Sequence, residues 1–217
     1  MKKMLAVVLA LCMALALVAC GGNTAEQPKN DEQNTPAEAL RVEPMASAVD
    51  TGSLTEGTYA VSFDKSSLHT DGDAMTLDVK VYDFEQFDAA EISQLKEGDV
   101  IVVGGKEITV ASIDNTNGVE INGGFDQENG VSLASLGGGV MYTIGADDTK
   151  SYYEAGSVTL PVSAECTLTD SVDPEGGEKT VTAAELADFL ANDTGVFVPG
   201  NTQITVTNGQ ITGISRV

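Results

Sequence analysis

Between Gly57 and Val217, apolar and polar residues alternate over short stretches, as they do in strands with one buried face. In "MTLDVKVYDF" every second residue from Met75 to Val81 is apolar, and "TYAVSF", from Thr58 to Phe63, repeats the pattern. In "LPVSAECTLTD" the alternate residues from Leu160 to Leu168 include Cys166 and share one face. These stretches predict half-buried β-strands.

Two residue pairs predict tight turns between such strands. Gly104-Gly105 separates "DVIVV" from "KEITV", and Asn208-Gly209 separates "TQITVT" from "QITGIS". Both pairs readily adopt the positive φ angles that a two-residue hairpin turn requires. We therefore expect a β-hairpin at each pair.

Two stretches have the helical rather than the strand pattern. In "FDAAEISQLKEGD" Asp88 is placed to cap a first turn and Gly98 to end the helix. In "VTAAELADFLANDTG" Thr182 and Glu185 have the spacing of a capping box, and Gly195 is placed to end the helix. The pattern predicts two short helices among many strands.

Glycine-rich turns between the strands, and the lack of a long helix to cover a parallel sheet, favour antiparallel pairing. The predicted fold is mainly β, an antiparallel β-barrel or sandwich with two short helices. Residues 57–217 suit one such domain, or two closely packed halves. The segment from Phe84 to Ile113 resembles a fragment of a small β-barrel.

The N-terminus has a different pattern. Lys2 and Lys3 precede 16 uncharged residues, Met4 to Ala19, which as a helix would span about 24 Å. A membrane span needs about 20 residues, so this run is typical of a secretory signal peptide, here residues 1–19. It closes with "LVAC", Leu17 to Cys20, which resembles the lipobox of bacterial lipoproteins.

That resemblance implies cleavage before Cys20 and lipid attachment to its thiol. The protein would then be held by the lipid bilayer at the extracytoplasmic face of the bacterial cell membrane. "LKEGDVI", "EINGG" and "NGQITGISRV" also resemble uncharacterised lipoprotein domains of anaerobic Gram-positive bacteria. This second resemblance concerns location and implies no activity.

Residues 20–56 form a polar stretch that holds three of the six prolines and no aromatic residue. Such a composition buries too little apolar surface to offset the entropy of ordering. We expect a lipidated, disordered linker that separates the domain from the membrane.

Charge restricts the partners. Without Lys2 and Lys3 the chain keeps nine Lys and Arg against 33 Asp and Glu, a formal charge of −24. Nucleic-acid binding requires a basic surface, so no nucleic-acid partner is expected. The remaining expectation is an unknown protein or glycan partner at the cell envelope.

Acidic loops make calcium binding the alternative, since calcium prefers several carboxylate and carbonyl ligands. None of the loops has the spacing of an EF-hand. The loop with most ligands is "DSVDPEGGE", and two others are weaker candidates. The candidate metal ligands are Asp170, Asp173, Glu175 and Glu178, then Asp71 and Asp73, then Asp147 and Asp148.

Catalytic motifs are missing from the sequence, so no catalytic residue is assigned and no cofactor other than calcium is considered. His69 is the one histidine and lies in a polar turn, where a solvated side chain is expected. Cys166 has no partner once Cys12 is cleaved off and Cys20 is lipidated, which favours a buried, inert thiol.

Three functions follow from these observations. The leading hypothesis is a membrane-anchored surface lipoprotein with a non-catalytic binding or structural β domain. The alternative is a calcium-binding or calcium-stabilised envelope domain. The third is a carboxylate-based glycan hydrolase, because two carboxylates alone can cleave a glycosidic bond.

Overall fold

A computed structural model describes residues 38–173 and 175–217. Residues Glu38–Val217 form one compact unit. The predicted signal peptide 1–19, the lipidated Cys20 and the linker as far as residue 37 lie outside the described residues. Those assignments stay predictions.

The described residues fold mainly into strands, with two α-helices, as predicted. The helices are α1 (Ala89–Ile92), which Asp88 caps as predicted but which ends at Ile92 and not at Gly98, and α2 (Ala183–Asn192). The strands are β1 (Arg41–Val42), β2 (Glu56–Ser62), β3 (Leu68–Asp71), β4 (Ala74–Phe84), β5 (Gln86–Asp88), β6 (Val100–Val103), β7 (Lys106–Thr109), β8 (Ile113–Asp114), β9 (Val119–Ile121), β10 (Val131–Gly137), β11 (Val140–Ile144), β12 (Tyr152–Asp170), β13 (Lys179–Thr182), β14 (Thr202–Thr207) and β15 (Gln210–Arg216).

Five strands close on themselves into a barrel. Around the ring, β2 pairs with β4, β4 with β12, β12 with β15, β15 with β14, and β14 again with β2. The β12–β15 pair is parallel and the other four pairs are antiparallel. Strands β3 and β13 extend the sheet beside β4 and β12.

The barrel interior is filled by the alternating apolar positions of its strands, as the sequence pattern predicts. Helix α2 packs against this core through Leu186 and Leu190. Side chains with no exposed surface form the centre of the core: Val61, Leu77, Val81, Ile204 and Ile211.

Helix α2 begins as predicted and ends earlier. The Thr182 hydroxyl donates to Glu185 Oε2 at 2.7 Å, and the Thr182 N–H donates to the same atom at 3.1 Å. The helix ends at Asn192, with Asp193 rather than Gly195 as its C-terminal cap. Asp193 leaves the helix in extended backbone, and its carboxylate binds Arg216.

A second lobe lies between β4 and β12 in the chain and comprises residues 85–151 together with β1. It contains a three-stranded sheet, β1-β6-β7, and a five-stranded sheet, β5-β11-β10-β9-β8. The predicted barrel fragment, Phe84 to Ile113, falls mostly in this lobe and outside the closed ring, which corrects that expectation. Fully or almost fully buried side chains form its separate core: Val42, Phe87, Ile92, Ile101, Ile121 and Leu133.

Strand β1 corrects the predicted domain boundary, because ordered structure begins before Gly57. Val42 is fully buried, and β1 pairs in parallel with β6. The Leu40 N–H donates to Asp99 Oδ1 at 2.9 Å, and the Leu40 carbonyl accepts from the Val100 N–H at 2.8 Å. The prediction failed because it used the average composition of residues 20–56, in which a few apolar residues such as Leu40 and Val42 carry little weight. These residues become ordered by pairing with the edge of β6.

Strand β12 belongs first to one side of the barrel and then to another. Residues Tyr152–Val162 pair with β4, while Thr167–Asp170 pair with both β13 and β15. The pairing with β15 shifts register between Val162 and Thr167. This irregularity leaves Ala164 exposed, although strict alternation placed it on the buried face with Cys166.

Candidate functional site

The second lobe and the start of β12 border an open cavity of about 530 Å³, which we call the junction cavity. Its border is mostly apolar. The residues that matter for its chemistry are Glu85, Phe125, Ser132, Thr143, Tyr152 and Tyr153.

Pairing of the long strands β4 and β12 brings Glu85 close to Tyr152 and Tyr153. Tyr152 pairs with Phe84 and Tyr153 with Asp83 across β12 and β4, so Glu85 follows directly beside them. Tyr152 is half-buried and Tyr153 is 39% exposed, and both residues border the cavity.

A loop of residues 122–130 supplies Phe125, and one asparagine holds this loop. The Asn122 Oδ1 atom accepts from the N–H groups of Ala111 and Ser112, at 2.7 and 3.2 Å. Its Nδ2 group donates to the carbonyls of Thr109 and Asn129, at 2.9 and 3.0 Å. The side-chain amide of Asn122 therefore joins both ends of the loop to the neighbouring strands.

The loop also bonds to the sheet beside the cavity. The Phe125 N–H donates to Ser132 Oγ at 3.0 Å, and Ser132 itself is buried. Asn122 adopts a φ of 54°, a left-handed conformation that asparagine tolerates better than most residues. Phe125 is thus placed by a fixed loop, yet its side chain remains 42% exposed.

Glu85 is the one carboxylate among the residues that border the junction cavity. Its Oε1 atom accepts from the Gly104 N–H at 2.8 Å. Burial raises the pKa of the Glu85 carboxyl, and the hydrogen bond from Gly104 opposes that rise. Glycoside hydrolysis needs a pair of carboxylates, so this cavity does not supply the machinery of the third hypothesis.

A polar groove of about 440 Å³ lies on the outer face of β4 and β12. Asp78 lies on its border and accepts from Thr159 Oγ1 at 2.5 Å. His69 Nε2 lies 2.8 Å from Asp78 Oδ2, and both side chains are exposed. These hydrogen bonds lower the pKa of Asp78. His69 is solvent-exposed as predicted, but its pairing with Asp78 depends on the β3–β4 hairpin and was not foreseen.

The predicted metal ligands do not converge. Asp71 and Asp73 are exposed at the β3–β4 turn, and Asp147 and Asp148 are exposed in the turn after β11. Asp173, Glu175 and Glu178 are also exposed. Within residues 38–173 and 175–217, no group of three or more His, Cys, Asp or Glu is arranged to hold a metal ion.

Asp170 is engaged by an arginine instead. Arg216 is 2% exposed and donates from Nε and Nη2 to the two carboxylate oxygens of Asp170, at 3.1 and 2.6 Å. It also donates from Nη1 to Asp193 Oδ2 at 2.5 Å. These bonds hold the pKa of Asp170 below its ordinary value. We call this group the arginine cluster: Arg216, Asp170 and Asp193.

Aromatic rings complete the surroundings of Arg216. Its guanidinium carbon lies 4.2 Å from the ring centroid of Phe197, which stacks on Phe63 with centroids 4.4 Å apart. A sequence signal for this cluster exists, since Arg216 continues the inward positions of β15 after Ile214. The partners lie 23 and 46 residues away, so the pattern alone could not identify them.

Cys166 is the free cysteine of the described residues, and it is buried. Burial raises the pKa of its thiol to about 11. Its burial confirms that part of the prediction, and a thiol with so high a pKa stays protonated at neutral pH, as expected of an inert side chain.

Among the described residues, no helix has the length and hydrophobicity that crossing a membrane requires. Neither a protein-family model, nor a curated protein, nor a solved structure matches this chain.

Proposed function

We propose that this chain is a lipid-anchored lipoprotein of a bacterial cell surface whose β domain binds a small ligand without converting it. The observation that carries the binding function is the junction cavity. The lipobox-like "LVAC" supports the location, and the charge of −24 supports attachment by lipid rather than by adhesion to anionic lipids.

The cavity has the size and lining of a ligand site. Its volume of about 530 Å³ falls within the range of roughly 300–1,000 Å³ that is usual for small-molecule pockets. Apolar and aromatic residues dominate its border, and a few polar groups, Glu85, Ser132 and Thr143, are placed among them. The apolar residues of such a border bind the body of a ligand by contact, and its few polar groups fix the orientation of the ligand by hydrogen bonds.

The polar groups suit binding better than catalysis. Ser132 Oγ already accepts the Phe125 N–H and has no histidine beside it on the cavity border, so no activated nucleophile is formed. Glu85 lacks a second carboxylate across the cavity. His69 lies on the outer face of the barrel hairpin and cannot serve as a base here.

The test uses the mature chain from residue 20 with Cys20→Ser, which removes the lipid and keeps the domain. Thermal melts with a library of metabolites and short glycans should identify compounds that raise Tm. In Phe125→Ala the rise should be lost, because the variant removes apolar contact at the cavity. In Leu136→Ala, which truncates an apolar side chain of similar exposure (45% against 42%) outside the cavity, it should persist.

A ligand that stabilises both variants equally would place binding elsewhere and contradict the proposal. The lipid anchor has its own test in cells. Cys20→Ser should move the full-length protein from the detergent fraction to the soluble fraction, and continued membrane partitioning would refute lipidation at Cys20.

A second candidate function rests on the barrel. In chain order the five strands of the ring are β2, β4, β12, β14 and β15. The third and fifth of these, β12 and β15, are parallel, and α2 lies in the chain between the third and fourth, β12 and β14. This is the topology of the OB-fold, a five-stranded barrel whose face over the second and third strands binds oligosaccharides or oligonucleotides. Here that face is β4 and β12, which carry the polar groove.

The acidity of the chain disfavours oligonucleotides, so an oligosaccharide is the ligand that this second candidate would take. Hydroxyl, carboxylate and ammonium groups of Ser157, Asp78 and Lys80 border the groove. Glycan binding that is lost in Asp78→Asn and retained in Phe125→Ala would favour the barrel face over the junction cavity. The opposite result would exclude it.

A further inference from the structure

We infer that the ligand of the junction cavity is an organic cation: an amine or quaternary ammonium with an apolar body, and with Glu85 as its counter-ion. This inference rests on the proposed function, because it names the chemical class that the same cavity takes. It is carried by four observations on charge, hydrogen bonding, aromatic surface and the neighbouring Lys150.

The charge of the cavity border is negative. Its twelve residues contain one carboxylate, Glu85, and no lysine, arginine or histidine. An anionic ligand would therefore meet a carboxylate with no cation among those twelve residues to compensate it. A cationic ligand would meet its counter-ion in a partly desolvated setting, where attraction between charges is stronger than in water.

Glu85 has capacity for such a ligand. Within the described residues its hydrogen bond from Gly104 uses Oε1, and Oε2 takes part in none. Desolvation makes the charged carboxylate less favourable than it is in water, as the raised pKa indicates. A bound ammonium group would reverse this effect by pairing with Oε2.

Aromatic side chains share the cavity border with this carboxylate. Phe125, Tyr152 and Tyr153 all border the cavity, and Phe125 and Tyr153 keep about two fifths of their surface exposed. Aromatic faces attract cations through their quadrupole, by about 0.5–2 kcal/mol per contact depending on solvent access. Aromatic residues next to a carboxylate are the usual means of recognising quaternary ammonium groups.

The neighbouring aromatic cluster already holds an ammonium group. Lys150 Nζ lies 4.2 Å from the ring centroid of Phe84 and 5.7 Å from that of Tyr142. Phe84 contacts Tyr152 edge to face, with centroids 6.0 Å apart. The chain thus uses the same chemistry with its own lysine, on a ring that contacts Tyr152 of the cavity border.

The test measures binding by isothermal titration to the mature Cys20→Ser chain. The probes are choline and 2-phenylethylamine, with their neutral counterparts 3,3-dimethylbutan-1-ol and 2-phenylethanol. We expect each cation to bind at least about tenfold more tightly than its neutral counterpart, since only the cation pairs with Glu85 and the rings.

The matched variants are Glu85→Gln and Glu97→Gln. Both remove one negative charge, but Glu97 is exposed and does not border the cavity. Glu85→Gln keeps an Oε1 acceptor for Gly104, so the fold is expected to persist. It should weaken cation binding about tenfold, while Glu97→Gln should leave it within about twofold, because a distant exposed charge is screened.

The outcomes separate the inference from the function on which it rests. If the neutral compounds bind as tightly as the cations, and Phe125→Ala weakens all four, the cavity is a ligand site and the cation assignment is wrong. If the cations bind equally to both glutamine variants and are released by salt, they are attracted only by the overall charge, which also overturns the inference. If neither these four probes nor the library binds in a way that depends on Phe125, the proposed function fails together with it.

Discussion

The barrel and the second lobe are built from the same kinds of residue but differ in the size of their cores and in whether their sheets close. In the barrel, 19 buried residues form one cluster inside a ring whose five strands all have partners on both sides. In the second lobe, 11 buried residues lie between two open sheets whose strands are two to seven residues long. A closed ring has no edges to open, whereas short open sheets are held by side-chain contacts and turns.

The difference explains where the cavity lies. A closed, filled barrel of five strands leaves no interior space, so any ligand there must bind an outer face. Two small sheets that meet a long strand leave a gap between them, and here Phe125 and Glu85 border it. We expect the barrel to supply most of the unfolding free energy and the second lobe to supply the selectivity.

The largest effect is expected from removing the buried arginine of the barrel. Arg216→Met leaves Asp170 and Asp193 without their partner, and an unpaired buried charge costs about 3–5 kcal/mol. Urea unfolding followed by circular dichroism measures the loss. Arg41→Met, which removes an exposed arginine paired with Glu43 and Glu107 in the second lobe, should cost far less. Equal losses would contradict the structural role of the arginine cluster.

The same cluster makes the barrel sensitive to acid. Because the pKa of Asp170 is below 3.8 in the folded protein, its pairing stabilises the fold at any pH above about 3.8. That contribution is lost as the pH falls from this value through the lower folded pKa. Melting curves should show the Tm difference between the parent chain and Asp170→Asn shrinking on acidification below pH 4. A difference that stays constant to pH 2 would contradict the assignment.

Two fully buried isoleucines allow a direct comparison of the lobes. Ile204→Ala in the barrel and Ile121→Ala in the second lobe each remove a side chain with no exposed surface, which costs about 2–5 kcal/mol. Hydrogen exchange should show that Ile204→Ala lowers protection throughout residues 38–217. Ile121→Ala should lower it chiefly in residues 85–151. Uniform loss in both variants would mean that the two cores unfold as one cooperative unit.

A smaller and more local effect is expected at Asn122. Asn122→Gly keeps the positive φ angle but removes the amide that bonds to Thr109, Ala111, Ser112 and Asn129, at a cost of about 1–3 kcal/mol. Exchange should increase in the 122–130 loop, and ligands of the junction cavity should bind more weakly because Phe125 is no longer held. Unchanged binding would show that Phe125 does not contribute to recognition.

The smallest effect is expected from calcium. With Asp170 engaged by Arg216, the other candidate ligands are exposed and separate, so calcium and magnesium at equal concentration should change Tm alike. A rise in Tm that is specific to calcium, and that is lost in Asp173→Ala, would instead favour the calcium-binding alternative.

Local features of the fold could be predicted because their causes lie within a few residues. Both hairpins form as expected, with Val103 paired to Lys106 and Thr207 paired to Gln210 across their turns. The capping box of α2 and the burial of Cys166 follow from equally short patterns.

Features that depend on distant pairing could not be predicted. The ring closes where Ala60 pairs with Gln203, and no local pattern encodes that contact. The junction cavity combines residues from six separate stretches between Glu85 and Tyr153. The acidic residues show the reverse case, since Asp170 and Asp173 are close in sequence but have different environments in the fold.

Strand β1 is the first paired segment on which tension from the N-terminal side of the described chain would act. The described chain begins at Glu38 and reaches its first sheet through two residues, Arg41 and Val42, which pair with β6 of the second lobe. Tension on the preceding chain, such as a cell-surface tether would transmit under fluid shear, therefore acts on this short pair before it acts on any strand of the ring. With the anchor and the ligand proposed above, we expect the second lobe to open before the barrel, so that tension weakens ligand binding before it unfolds the ring.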